Sequence, residues 1–375
     1  MKKTIILLLI ITFITFSLSG CYDANSLETF YYVIAIAIDE GANNQLKLSV
    51  QIAVSEKNSE SSSQSTKGNI YSVECDSITS GLSVLDNYLS KKLDLTHCSA
   101  IVFSEELAKK GISLEINTLA NNNEIRPNCN ILISNKTALE VLENVSNSGE
   151  NFSSRYYEFI INSTEYTGYS TISSLGEFFY NLNNNITQPT TNYITITDEF
   201  IQSNGIAVFK DDIFVGNLQA PEAMAHSILI NQFDTAIVSI QDPFEPTKLM
   251  DISISLEKID IDVSIVNNTP YIKIKTEILG KVKSATNDFD YSSLESISII
   301  ENALNEYITS LINTYLYTIS RDYNSDICYL GENLAKKYLT LEEFEKVHWD
   351  ELFKDAVFDI SVNSKINSSY LFNQE

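Results

Sequence analysis

Apolar residues first run together and then alternate near the start of this chain. Phe30 to Asp39 is almost unbroken apolar and β-prone. After Glu40-Gly41-Ala42-Asn43-Asn44, residues Leu46, Leu48, Val50, Ile52 and Val54 alternate with polar or small neighbours. A period of two over that length predicts a strand with one buried face, and the two runs together predict a hairpin. Ser55 to Asn69 is rich in Ser, Glu, Asn and Gln without apolar periodicity, which predicts an exposed loop.

Strand and helix patterns then alternate. Ile70 to Cys75 reads as a strand, and Ile78, Leu82, Leu85 and Leu89 fall on one helical face, with Asp76 or Ser77 as the cap. His97 to Phe103 and Asn128 to Ser134 read as strands of one sheet. Between them Ser104-Glu105-Glu106 opens a short helix that Gly111 ends. Thr137-Ala138-Leu139-Glu140 has the spacing of a capping box. Phe152 to Leu182 predicts helices broken near Gly168, followed by a polar connection from Asn181 to Gln188. Ile206 to Lys210 and Ile213 to Gly216 predict a hairpin turning at Asp211-Asp212, and a helix starts at Pro221. Leu249 to Val266 and Tyr271 to Val282 are long alternating strands joined by Asn267-Asn268-Thr269-Pro270. From about Ser292 to Ser320, Leu294, Ile297, Ile300, Leu304, Ile308, Leu311, Tyr315 and Ile319 step by three or four, a stripe that predicts a helix packed on a sheet. A helix to about Tyr338, another around Trp349 and a last strand at Ala356 to Val362 close the pattern. The expectation is an α+β or mixed α/β chain of several domains, with mixed and antiparallel sheets each covered by helices. The expected divisions are 1–20, 21–188, 189–248 and 249–375, the third holding the hairpin.

The segment before residue 21 has a different character. Met1-Lys2-Lys3 leads an apolar run from Ile5 to Leu18, closed by Leu18-Ser19-Gly20-Cys21. The run is short for a bilayer core of ~30 Å, which needs about 20 residues. Its length and flanks are those of an export signal cleaved before Cys21, whose thiol would then carry a diacylglycerol and acyl chains such as palmitate. No later run is apolar for long enough to span. The expected product is held on the outer face of a membrane by lipid alone.

The formal charge is −24, and cleavage before Cys21 would remove Lys2 and Lys3 but no acids. Such a surface repels nucleic acid and anionic headgroups, so a nucleic-acid partner is not expected. Catalytic signatures are missing. His97, His226 and His348 stand alone without metal-ligand spacing, and neither a G-x-S-x-G elbow nor a phosphate-binding glycine loop occurs. Cys75, Cys98, Cys129 and Cys328 form no C-x-x-C pair. A Cys98–Cys129 disulfide is conceivable outside the cytoplasm, though buried free thiols are the simpler expectation. Asp39 and Asp211-Asp212 read as turn residues, and Asp326 as either a buried polar link or a helix cap. No catalytic residue, metal or cofactor is expected, and Cys21 is the one site residue.

The order of these segments resembles the Ger(x)C family of spore-germination lipoproteins, the C subunits of nutrient germinant receptors. The resemblance rests on Gly20-Cys21-Tyr22-Asp23, Val33 to Gly41, Leu48 to Ile52, Leu95 to Gly111, Asn123 to Pro127 and Gly205 to Asp212. Tyr323 to Ile327, Gly331-Glu332, Trp349 and Phe353 follow in the family's order. Tyr22 stands where the family has Trp, and the family's closing Arg-x-Gly is absent after Lys365-Ile366. The resemblance implies a non-enzymatic, lipid-anchored subunit on the outer face of the inner spore membrane. Its partners would be A-type and B-type membrane subunits, with a small nutrient acting on the complex. A solute-binding lipoprotein of a transport system is the alternative, and it predicts two similar doubly wound lobes.

Overall fold

The structure is a computed structural model that describes residues 29–42, 45–53, 69–147, 153–197, 200–285 and 293–367, together with Ile5. Cys21 and the expected signal before it, apart from Ile5, lie outside the described residues, as does the stretch 54–68.

Strand β1 (Phe30–Glu40) is the centre of the first sheet. Around it lie β2 (Leu46–Ile52), β3 (Asn69–Cys75), β4 (Lys92–Asp94), β5 (Ala100–Ser104), β6 (Asn130–Ser134), β7 (Thr190–Ile196), β8 (Ile201–Lys210) and β9 (Ile213–Gln219). The order is β3-β2-β1-β5-β6-β7-β8-β9, with β4 beside β1. The middle of the sheet is parallel and its flanks are antiparallel. Parallel neighbours require crossover helices, and these cover both faces. Helices α1 (Ile78–Tyr88), α3 (Ser113–Ala120) and α6 (Leu175–Leu182) bury Leu85, Ile116, Leu119 and Phe178 against Ile36, Ile38, Ile101 and Phe103. A single-turn α2 (Glu105–Ala108) precedes α3. Helices α4 (Ala138–Asn147) and α5 (Ser153–Thr167) pack Val141, Leu142, Tyr157 and Ile161 on Ala35, Ala37, Val102 and Leu132. Coverage on both sides explains why β1 is continuously apolar rather than alternating.

The second sheet is β10 (Ala236–Gln241), β11 (Leu249–Val266), β12 (Thr269–Ala285) and β13 (Val357–Ile366), in that order. Only its last pair is parallel. Its outer face meets solvent, so β12 alternates exposed Lys273, Lys275 and Glu277 with buried Ile272, Ile274 and Thr276. The β11–β12 register places Val263 opposite Ile272 and Ile261 opposite Ile274, so these residues share the inner face. Helix α8 (Leu294–Tyr317) covers that face through Ile300, Leu304, Ile308, Leu311 and Tyr315. Leu294, expected in this stripe, is 87% exposed because it lies in the first turn, beyond the sheet. A π turn (Thr318–Asp322) then leads to α9 (Leu330–Ala335), α10 (Leu341–Glu345) and α11 (Trp349–Leu352). Mixed α+β architecture is therefore as expected. Periodicity did not reveal α3, β4, β7 or β10; all four are eight residues or fewer, and β7 is buried along nearly all its length.

Strand β8 joins the two halves. Its Ala207 and Phe209 point into the core of the first sheet, and Ile206 and Val208 into the core of the second. Helix α7 (Ala220–Ile230), directly after β9, packs on α8 through Ala223, Met224 and Ile228.

Candidate functional site

Three aspartates that could have suggested acid–base chemistry hold helix ends instead. Asp39 is not in a turn: it lies in β1, 4% exposed, and its carboxylate accepts from Ala138 N (2.6 Å) and Leu139 N (3.0 Å). It thereby occupies the unpaired amides and positive dipole end of α4. Thr137 supplies half of the expected box, its hydroxyl accepting from Glu140 N. Asp212 in the β8–β9 turn accepts from Ser113 N at 3.2 Å, at the start of α3. Asp211, with φ +55°, forms the tight turn itself and donates its N–H to Gln188.

Asp326 has the most partners. It is 3% exposed, and its carboxylate accepts from Gly331 N (2.7 Å), Leu330 N (3.1 Å), Cys328 N (3.3 Å) and the Trp349 indole (3.0 Å). It is thus both a buried link and a cap of α9. Burial pushes its carboxyl upward, and the four N–H donors pull against that shift. The neighbouring backbone ties the halves together. Asp326 O accepts from Gln188 N, and Ser325 Oγ donates to Phe209 O. Tyr323 lies flat against Gly216, where an added Cβ would sit 2.6 Å from the ring. Gly331 is equally constrained: a Cβ there would meet Trp349 at 2.6 Å and Ile186 O at 2.8 Å. Arg321 does not reach Asp326; its guanidinium stacks on Tyr317, 4.4 Å from the ring centre.

Beside this hub a cleft of about 900 Å³ opens between α6 with its following loop and the helices α10 and α11. Phe179, Ile186, Phe344 and Trp349 form its apolar floor, and Asp211, Glu345 and Asp350 its acidic side. The sequence carried one hint of it. Phe178-Phe179-Tyr180 places three successive aromatics on a short helix, which cannot bury all of them on one face. Phe178 is buried, Phe179 partly buried and Tyr180 58% exposed.

The other residues singled out from sequence do not converge. His97 makes an edge contact with Tyr32, with ring centres 5.2 Å apart. His226 is fully buried, its Nδ1 2.7 Å from the Tyr315 hydroxyl, and burial lowers its pKa to about 3. His348 has φ +52° ahead of α11. Cys98 and Cys129 precede the paired strands β5 and β6 rather than lying within them; their sulfurs are 3.7 Å apart, both buried and both free. Among the described residues no group of three or more His, Cys, Asp or Glu is placed to hold a metal, and no helix is long and apolar enough to cross a membrane.

Two family models match end to end. The spore germination protein N-terminal domain covers residues 23–196, and the spore germination B3/GerAC-like C-terminal domain covers residues 204–370. The chain belongs to the Ger(x)C family. Two Bacillus subtilis relatives agree. Spore germination protein YfkR is 22% identical, with 95% of this chain and 94% of that protein aligned. Spore germination protein B3 is 21% identical over 94% and 95%. The crystal structure of the GerBC protein has the same fold, with a TM-score of 0.57 at 18% identity, covering 88% of this chain and 96% of that one. The residues of the Asp326 hub, Tyr323 to Ile327, Gly331, Trp349 and Phe353, are the C-terminal landmarks of the family resemblance.

Proposed function

We propose that this Ger(x)C protein is a lipid-anchored, non-enzymatic subunit of a nutrient germinant receptor. The observation that carries the reading is the pair of germination-family matches, which together run from residue 23 to residue 370. Leu18-Ser19-Gly20-Cys21 supports the anchor, with acylated Cys21 on the outer face of the inner spore membrane. The partners are A-type and B-type membrane subunits, and the nutrient acts on the complex. Asp39, Asp212 and Asp326 are each engaged by backbone amides, which supports a binding and assembly role without chemistry. The two halves are also unlike, one a mixed sheet with a parallel middle and helices on both faces, the other mainly antiparallel under one long helix, which speaks against a two-lobed solute binder.

In this mechanism the lipid confines the body beside its membrane partners. Confinement to the membrane surface raises the protein's effective concentration beside its partners by orders of magnitude. Cys21→Ala should release or deplete the protein from spore membranes and weaken the nutrient response in a germination assay. A Cys21→Ala protein that is retained and fully active would refute the anchor.

A further inference from the structure

We propose that the cleft between α6 and the α10–α11 pair receives an apolar segment of a partner protein flanked by lysine or arginine. The proposal rests on the reading as a receptor subunit and names the kind of contact that subunit makes.

The lining is one-sided in charge. Asp211, Glu345 and Asp350 are exposed and face the cleft, and no Lys or Arg lines it; Lys210 lines a small adjoining recess instead. None of the three carboxylates forms an ion pair among the described residues. Carboxylates of one sign along a cleft give it a negative potential. That potential favours a cationic partner and disfavours an anionic one.

The apolar groups set the partner's other property. Tyr180 is 58% exposed and Leu341 57%, and both line the cleft. Large apolar side chains left in water beside a polar rim mark an interaction surface. The space, about 900 Å³, is open on one side, so it suits a few side chains of a larger molecule better than an enclosed small ligand. The floor is held rigidly. Trp349 is fixed by Asp326, and Tyr329 at the start of α9 donates to Glu177 of α6 at 2.8 Å, tying α6 to the segment that carries Asp326. A site already held in shape binds without a large ordering cost.

The test places a photo-reactive benzoylphenylalanine at position 341 of the full-length protein in spores and identifies the cross-linked peptide by mass spectrometry. The expected product is a peptide of a receptor subunit in which Lys or Arg adjoins apolar residues. The pair Glu345→Lys and Asp350→Lys should cut the cross-linked fraction by about tenfold or more and slow nutrient germination at unchanged protein abundance. The charge-matched pair Glu342→Lys and Glu351→Lys, on the same helices but off the cleft, should leave both unchanged. A cross-link to an acidic segment, a cross-link only to a small amine, or a yield indifferent to the Glu345/Asp350 reversal would overturn the proposal. Normal nutrient germination of spores lacking this chain would instead defeat the receptor reading and leave the cross-link result standing.

Discussion

At the scale of single residues, burial decides what each titratable group does. His226 is the clearest case. Full burial holds its folded pKa at about 3, below the ordinary 6.5, because the imidazolium would lose its water. As pH falls, the unfolded chain takes up this proton first. The contribution is therefore intact above about pH 6.5 and is lost progressively as pH drops toward 3. Between pH 7 and pH 5 the loss from this one group is about 2 kcal/mol. In His226→Gln that component should vanish. Urea unfolding at the two pH values should then show a stability difference smaller by roughly that amount, although Gln lowers stability at pH 7 as well. An unchanged pH dependence would mean that His226 is not buried as described. Asp39 and Asp326 behave in the opposite sense. Burial raises both, so protonation favours the folded state, and they do not contribute to acid unfolding.

At the scale of elements, periodicity identifies a helix but not how much of it touches anything. The stripe on α8 includes both Leu304, fully buried against the second sheet near Gly280, and Leu294, mostly in water. Leu304→Ala should cost about 2–5 kcal/mol, the transfer loss plus the cavity left behind. Leu294→Ala should fall within about 0.5 kcal/mol of the parent, as exposed changes do. Chemical denaturation of the two variants side by side measures the contrast, and equal effects would contradict the placement of the helix. The capping interactions belong to this scale too. Each of α3, α4 and α9 starts on a carboxylate from elsewhere in the chain, except that Asp326 is only four and five residues from its amides. Local cap signals such as Thr137 were legible, whereas Asp39, 99 residues away from Ala138, was not.

At the scale of the whole molecule, β8 is the critical strand. Its alternating side chains enter two different cores, and with β9 it completes the first sheet. The two family matches meet at its start, between residues 196 and 204. A fragment ending at residue 196 lacks β8 and β9 and leaves β7 as an unpaired edge. A fragment ending at residue 219 keeps them. The longer one should unfold cooperatively and remain soluble, and the shorter should aggregate or lack a cooperative transition. Circular dichroism melts and size-exclusion profiles decide between them; equal behaviour would show that the sheet does not depend on its last two strands.

What the chain determined by itself follows from local physics. The alternating runs at Leu46, Leu249 and Tyr271, the helix after Ser293, the hairpin at Asp211 and the absence of catalytic spacing all act within a few residues of one another. The order of family landmarks, from Gly20 to Phe353, is likewise written along the chain itself. Tertiary structure alone decided the rest. It placed Asp39 in a buried strand under a distant helix, set Cys98 beside Cys129 without joining them, and brought Tyr180 within one cleft with Leu341 and Asp350. Those relations join positions tens to hundreds of residues apart. They depend on how strands are ordered in a sheet and on which face of each helix meets it, and a one-dimensional pattern of apolar and polar positions does not contain that order.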